Sequence, residues 1–114
     1  MAQNPLNKIS GTVGIANAAA DSDPIDCLEQ TLSGIVTPAV LTNASMRFKV
    51  SLDGQTYVPL YDDSNTLYAI TVATGASQAY ALSLPKMKPW RWLKLNMSGN
   101  EGAARTFGYV LTGV

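Results

Sequence analysis

The sequence contains no histidine and a single cysteine, Cys27, among its 114 residues. Without histidine, the chain has no basis for most acid–base catalytic triads and most zinc sites. A lone cysteine with no histidine to activate it is a poor nucleophile, and it excludes an intrachain disulfide. We therefore expect Cys27 to be a small buried side chain. We also expect the protein not to be an enzyme, with no catalytic residue, no cofactor and no metal.

The acidic residues form no recognisable site either. The densest cluster is Asp21, Asp23 and Asp26, and it lacks the regular oxygen pattern and the sharp glycine turn of a calcium loop. This cluster indicates a solvated loop. Asp62 and Asp63 are adjacent, so in a strand they would point to opposite faces and could not act as the acid–base pair of a glycosidase.

Charge is scarce and balanced. Eight Lys and Arg residues offset eight Asp and Glu residues, and only 14% of the chain is charged. General nucleic-acid binding depends on cations that neutralise phosphates, so we expect no nucleic-acid partner. Hydrophobic residues make up 46% of the chain. This composition favours a surface partly covered by a partner, although the many Ala, Thr and Ser residues are an alternative explanation.

Long hydrophobic runs are also missing. No stretch approaches the length of a membrane span, so we expect no membrane partner. The first residues, MAQNPLNK, contain no apolar run of the kind found in a signal peptide. We therefore expect synthesis in a cytosol, followed by retention there or release within a larger assembly or on lysis.

The clearest pattern in the chain is a β-hairpin over residues 46–61. Apolar and polar residues alternate along its first half, which places one set on each face of a strand. Asp53-Gly54 supplies the turn, since glycine accepts the positive φ of a tight hairpin. Pro59 in the returning strand has no N–H for the ladder, and it predicts a sheet edge or a bulge there. The residues expected on the apolar face are Met46, Phe48, Val50 and Leu52.

Similar alternation recurs along the rest of the chain, with turn signals about every ten residues. Residues 37–44 are expected to form a crossover loop, and residues 85–89 a proline-bounded connection. This spacing predicts an all-β fold, a single-domain antiparallel β-sandwich or jelly roll of about eight short strands over residues 8–114. A flexible N-terminal arm over residues 1–7 would precede it. Strands are expected near residues 9–15, 28–36, 46–52, 56–61, 68–72, 80–84, 90–97 and 105–112.

Three features are candidates for binding a partner. Tryptophan with neighbouring arginine is the composition enriched at interface hot spots, and it occurs where the densest strand begins. Alternatively, one tryptophan covers the open end of the sandwich and the other lies against the loop of residues 85–89. This first candidate comprises Trp90, Arg91, Trp92 and Lys94. In this strand Leu93, Leu95 and Met97 would face the core and Trp92, Lys94 and Asn96 would face outward, with Trp90 at the entry.

The second candidate is a set of cations that would form a basic stripe if their strands are neighbours, and such a stripe would suit an acidic partner. The alternative is an ordinary solvated face. The third candidate is the arm of residues 1–7, which would either order on a partner surface or remain a free terminus. The cations of the stripe are Arg47, Lys49, Lys86, Lys88, Arg91 and Lys94.

Three segments carry a resemblance to a known family. They read FKVSLDGQTYVPLYD over residues 48–62, WLKLNMS over residues 92–98 and ARTF over residues 104–107. Together they resemble the small virion proteins of tailed bacteriophages. In that family a strand ending S-x-D-G runs into an aromatic residue and L-Y-D, a later aromatic-hydrophobic-Lys-Leu strand precedes a serine, and an A-R-T strand closes the chain. The resemblance extends over residues 32–112.

What the resemblance implies is a structural role. The expected function is that of a capsid decoration or cement protein, which binds the outer surface of the major capsid protein lattice and stabilises the head. Such a protein is located on the virion and is made in the host cytoplasm. By family analogy we expect a homo-oligomer and predict a trimer. A tail or baseplate accessory protein of the same virion is an alternative.

The main rival is a carbohydrate-binding jelly roll, because S-x-D-G motifs followed by an aromatic residue also occur there. In that interpretation the aromatic side chains form a platform on which sugars stack. Asp53 or Asn65 would supply hydrogen bonds to the sugar. The aromatic residues of this platform would be Trp90, Trp92, Tyr57, Tyr61 and Tyr68.

Overall fold

A computed structural model describes residues 8–113, and the arm predicted over residues 1–7 lies outside the described residues. Two antiparallel sheets pack face to face in a β-sandwich, which confirms the expected all-β fold. Within residues 8–113, no helix has the length and hydropathy of a membrane span. The elements are β1 (Lys8–Ile15), β2 (Ile25–Asp26), β3 (Thr31–Val36), β4 (Ser45–Ser51), β5 (Val58–Pro59), β6 (Ala69–Thr71), β7 (Ala79–Ala81), α1 (Leu84–Met87), β8 (Trp92–Met97) and β9 (Arg105–Thr112).

The two sheets contain strands from both halves of the chain. One sheet has the order β1-β9-β3-β7, and β1 pairs with β9 along its whole length, from Lys8 opposite Thr112 to Ile15 opposite Arg105. The other sheet has the order β2-β8-β4-β5, and β6 also pairs with β4. Strand β4 is central to it and runs antiparallel to β8, from Met46 opposite Met97 to Ser51 opposite Trp92.

The core lies between the sheets and follows the period of two seen in the sequence. Alternate residues are buried in both β4 and β8. The predicted apolar face is therefore confirmed in β4 as far as Val50, and in β8 as far as Met97. Cys27 is fully buried, as expected. The largest buried apolar side chains are Phe48, Phe107, Ile15, Ile25, Leu32, Ile35, Met46, Met87, Leu93, Leu95 and Met97.

The hairpin differs from its predicted form at the turn. Strand β4 ends at Ser51, and Leu52 does not join the apolar face but is 90% exposed. The Ser51 hydroxyl accepts hydrogen bonds from the backbone N–H groups of Asp53 and Gly54, which bends the chain away from the strand direction at once. A six-residue loop therefore replaces the tight turn. The return strand is only Val58–Pro59, at the sheet edge predicted from Pro59.

Three other boundaries predicted from the sequence were wrong. The strand expected over residues 90–97 begins only at Trp92, because the N–H of Trp90 still donates to the carbonyl of Met87 at the end of α1. The strand expected near residues 28–36 begins only at Thr31, because Leu28 has a positive φ of 55° in a turn where its N–H donates to Asp26. The connection expected over residues 85–89 begins as the one-turn helix α1, because Pro85 at the first turn fixes a helical φ and lacks only an N–H that would be unpaired anyway. Leu84 is consequently exposed and does not extend the alternation of the preceding strand.

Candidate interaction surface at the Trp90 end

The sandwich has two ends, which the register of β4 and β8 defines. Ser51 lies opposite Trp92, so the loop of residues 52–57 and the segment of residues 84–91 meet at one end. Asp26 also pairs with Trp92, which brings the turn of residues 27–30 to the same place. We call this the Trp90 end. Loops 37–44 and 98–104 meet at the opposite end.

Trp90 is the anchor of the Trp90 end. It is partly buried and packs against the core. Its side chain lines a cleft of about 330 Å³ that it shares with Leu52 and Val58, and a second of about 420 Å³ that it shares with Tyr61. A smaller cleft of about 170 Å³ separates it from Leu28.

The residues around Trp90 form an apolar patch that faces solvent. Leu52 is 90% exposed, Leu28 62%, Val58 54% and Tyr61 50%. These are four of the eight large hydrophobic residues exposed over residues 8–113, and all four border clefts that Trp90 lines. Apolar groups clustered in this way mark interaction sites more often than singly scattered ones. We refer to Trp90, Leu28, Leu52, Val58 and Tyr61 as the Trp90 patch.

The loop that carries Leu52 is held in place by its own hydrogen bonds. Oδ1 of Asp53 accepts from the backbone N–H groups of Gln55 at 2.9 Å and Thr56 at 3.0 Å, and from the Ser51 hydroxyl at 2.9 Å. These bonds favour the charged carboxylate, and they lower the pKa of Asp53 to about 2. Leu52 is thus presented to solvent by an ordered loop.

Trp92 contributes to this order and not to the exposed patch. The Trp92 ring lies against Gly54, whose φ is +79° and where a Cβ would come within 3.0 Å of the ring. The guanidinium of Arg91 lies 4.7 Å from the ring centroid. Arg91 also binds Asp26 through two bonds, at 2.8 and 3.1 Å, which lowers the pKa of that carboxyl and raises the pKa of Arg91. Trp92 therefore contacts the loop of residues 52–57.

The predicted basic stripe is brought together only in part. Arg47 and Lys49 on β4 are neighbours of Lys94 on β8, with Lys49 directly opposite Lys94. Lys49 is paired with Asp21 at 2.8 Å, and the ammonium of Lys94 lies 4.5 Å from the ring centroid of Tyr57.

The other members of the stripe are paired or lie elsewhere. Arg47 donates to the side-chain oxygen of Asn96 at 3.3 Å. Lys86 is apart from the sheet face, 4.8 Å from the ring centroid of Tyr68 and 3.9 Å from Asp62. Lys88 lines the small cleft beside Trp90. The basic residues are therefore dispersed and largely partnered.

The acidic cluster supplies part of this pairing. Burial raises the pKa of Asp21, but hydrogen bonds from Lys49 and Asn96 outweigh burial and leave the pKa below its ordinary value. Asp26 is held by Arg91, so two of the three carboxylates expected in a solvated loop form ion pairs. Over residues 8–113, no group of three or more potential metal-ligating side chains comes together.

The aromatic residues considered for a sugar platform do not share one surface. Tyr57 is covered by Lys94, and its hydroxyl is buried with no hydrogen-bond partner among the described residues. Tyr68 stacks on Phe48, with ring centroids 5.4 Å apart. Asn65 occupies a turn with a φ of 61°. Tyr61 and Trp90 are the two platform residues that line a common cleft.

One buried charged group was not expected from the sequence. Glu101, at the end opposite Trp90, is 1% exposed. Its carboxylate accepts from the N–H of Thr42 at 2.7 Å, from the N–H and side-chain amide of Asn43 at 3.1 and 2.7 Å, and from Arg105 at 3.0 Å. Every one of these bonds ties loop 37–44 or strand β9 to the loop of residues 98–104, so the group has a structural role. Its signal was an acidic residue inside a short Gly-flanked loop, four positions before an arginine.

No family model matches the chain, and no curated protein matches it at a significant level.

Proposed function

We propose that the chain is a structural virion protein, a capsid decoration or cement protein that binds the outer surface of the major capsid protein lattice and stabilises the head. The observation that carries the proposal is the Trp90 patch, which gathers four exposed large hydrophobic residues around Trp90 at one end of the sandwich. The resemblance of residues 48–62, 92–98 and 104–107 to small tailed-phage virion proteins supplies the identity of the partner.

The chemistry of the Trp90 patch suits protein binding. Tryptophan and tyrosine are enriched at interface hot spots, and a partly buried Trp90 beside exposed aliphatic groups has the composition of a hot-spot centre. Because the loop of residues 52–57 is already fixed by the Asp53 hydrogen bonds, binding need not pay the full cost of ordering Leu52.

The rim of the Trp90 patch carries both signs of charge. Asp53, Asp62 and Lys86 line its larger clefts, and Arg91 lines the smallest. A mixed rim gives no strong attraction to an acidic or basic partner, and it favours an apolar contact whose strength depends little on salt.

One Trp90 patch alone would bind with modest affinity. A capsid lattice presents many identical sites, so an oligomer that carries several patches would bind more tightly. If copies self-associate, each unit engages several capsid subunits at once, and the second contact becomes effectively intramolecular. Stabilisation of the head then comes from bridging neighbouring subunits. The trimer implied by the resemblance stays a prediction.

The proposal is tested by mixing purified protein with capsids of its source phage that lack it, and by measuring the bound fraction after sedimentation. Leu52→Asp and Val58→Asp place a charge in the Trp90 patch at exposed positions, so they should leave folding intact and weaken binding at least tenfold. Val40→Asp is the matched control, because Val40 is 56% exposed in loop 37–44 at the other end. Its binding should equal that of the wild type.

Other results would redirect the proposal. Failure of the wild type to sediment with capsids would overturn the decoration role. Binding to isolated tails in that case would favour the tail or baseplate alternative. Binding on a glycan array that is lost in Tyr61→Ala would favour the carbohydrate-binding alternative, since Tyr61 and Trp90 line one cleft of about 420 Å³.

A further inference from the structure

Strand β1 forms an open edge of its sheet. All eight of its residues pair with β9 on one side. On the other side no strand within residues 8–113 neighbours it, and only Ile15, at its end, forms an isolated bridge, with Ser22. The carbonyl of Gly14 accepts a hydrogen bond from the N–H of Asp23, which lies outside β9, so the backbone groups of Gly14 point away from β9. Since these directions alternate along an antiparallel strand, the N–H and C=O groups of Ser10 and Thr12 also point to the open edge. No described residue bonds to them.

This edge carries few of the features that normally prevent pairing with another chain. Strand β1 contains no proline, its register with β9 is free of bulges, and Lys8 is its only charged residue. Ile9 is 51% exposed beside it. Long open edges without such protection are templates for a further strand.

We propose that β1 pairs antiparallel with β1 of a second copy of this chain, joining the two four-stranded sheets across a two-fold axis. The register that fits has Ser10 opposite Ser10 of the second copy, and Lys8 opposite Thr12. In that register the outward backbone groups of both strands face one another and can close the ladder. The proposal concerns a surface separate from the Trp90 patch and does not rest on the proposed capsid role.

Side-chain contacts favour the same register. Ile9 would lie opposite Gly11 of the second copy. Gly11 has no side chain, and the Tyr109 ring takes up that space, since a Cβ on Gly11 would lie 2.7 Å from the ring. Ile9 would therefore cover the Tyr109 ring of the second copy, and an aliphatic group against an aromatic ring is a favourable cross-strand pair. This contact removes an exposed isoleucine from water on each copy.

Charge complementarity identifies the partner strand as a second copy. Lys8 stands at one end of the edge, and Asp23 stands at the other end, fixed there by its bond to Gly14. In the proposed register Lys8 faces Thr12 of the second copy, two residues and about 7 Å short of Gly14. A lysine side chain spans that distance to Asp23, so the two-fold axis creates two Lys8–Asp23 pairs and places no like charges opposite each other.

The loop that carries Asp23 limits the registers in which β1 can pair with another strand. Asp23 occupies the position beside Gly14 that an added strand would need. In a register with Lys8 opposite Gly14, the added strand would therefore collide with Asp23. Pairing is confined to the part of β1 before Val13. A two-fold pairing makes a dimer the basic unit, in place of the trimer implied by the resemblance.

The test is the native mass of the full chain by sedimentation equilibrium, with concentrations up to about 100 µM to detect weak association. The wild type should be a dimer. Ser10→Pro removes an N–H that points to the open edge, and it should raise the dimer dissociation constant at least tenfold. Ala81→Pro is the matched control, because β7 is the other edge of the sheet. The carbonyl of Gln78 accepts from the N–H of Thr37 and the N–H of Leu82 donates to Ser33, so the alternation leaves the N–H of Ala81 outward. This variant should leave dimerisation unchanged.

A charge exchange keeps the proposal testable if Ser10→Pro fails to fold. Lys8→Asp and Asp23→Lys should each weaken the dimer several-fold, because each creates two like-charge contacts per dimer. The double variant should recover wild-type affinity. A wild-type monomer over the whole range, a trimer, a dimer that Ser10→Pro leaves intact, or single charge variants that the double does not rescue would each overturn the proposed pairing.

Discussion

Glu101 offers a perturbation whose size can be worked out from its contacts. Glu101→Ala removes the carboxylate that accepts four hydrogen bonds, at 2.7 to 3.1 Å, from Thr42, Asn43 and Arg105. The side chain of Arg105 is only 14% exposed, so its guanidinium would lose the carboxylate of Glu101 while remaining nearly buried. Removing one member of a buried pair costs about 3–5 kcal/mol. We expect the free energy of unfolding to fall by about that amount.

The assay is urea unfolding followed by tryptophan fluorescence, since Trp90 and Trp92 both lie in ordered structure far from the change. A loss of 3–5 kcal/mol is a large share of the 5–15 kcal/mol expected for a domain of this size. Glu29→Ala is the matched control, because Glu29 is the other glutamate of the chain and is exposed. It should change stability by less than about 0.5 kcal/mol. A loss below about 1 kcal/mol for Glu101→Ala would refute the structural role assigned to the carboxylate.

The pH dependence gives an independent check on Glu101. Burial raises the pKa of Glu101, but the bonds from Thr42, Asn43 and Arg105 outweigh burial and leave the folded pKa below the ordinary value of 4.5. The contribution of Glu101 to stability is therefore complete above pH 4.5 and is lost as the pH falls through the lower folded pKa. Glu101→Gln does not titrate, so the stability difference between wild type and variant should shrink on acidification below pH 4.5. A constant difference would contradict this reasoning.

Three further predictions follow from single contacts. Burial raises the pKa of the Cys27 thiol to about 11, so a thiol reagent at pH 8 should label the native protein far more slowly than the urea-unfolded protein, and equal rates would contradict its burial. Gly54→Ala should cost about 1–2 kcal/mol in urea unfolding, because φ is +79° and the new Cβ would meet the Trp92 ring at 3.0 Å; an unchanged midpoint would argue against the loop geometry. Tyr57→Phe removes a buried hydroxyl that has no described partner, so stability should stay the same or rise by about 1 kcal/mol, whereas a clear loss would show that the hydroxyl is bonded.

The strands that alternate strictly were predictable, and the loops between them were not. The strand predicted over residues 105–112 matches β9, and the one predicted over residues 90–97 contains β8, because the apolar positions of both repeat every two residues and one face of each strand must be buried. The end of β4 was missed because Leu52 continues the alternation in sequence, while the Ser51 hydroxyl ends the strand by bonding backbone N–H groups. A local hydrogen bond of this kind has no signature in hydrophobic periodicity.

The candidate surface was foreseen only in part. The sequence identified Trp90 as an interface candidate, but the Trp90 patch also includes Leu28, Leu52 and Val58, which come from three different segments. Their meeting depends on the register that sets Ser51 and Asp26 opposite Trp92, and register is a property of the folded sheet.

The cations show the same limit. Arg47 and Lys49 do lie beside Lys94, as the predicted stripe required. The carboxylate that pairs with Lys49, however, is that of Asp21, which comes from a loop. Ion pairs between residues that are distant in sequence cannot be predicted from composition, because the conformation of the loops determines which charged groups come into contact.

The measurement that tests the account most directly is a cryo-electron microscopy reconstruction of capsids lacking this protein, after the purified chain has been added. We expect ordered density on the outer surface of the lattice, with the Trp90 end and its exposed Leu52 facing the capsid subunits. Capsids that carry no added density, or density in which the Trp90 end points away from the lattice, would contradict it.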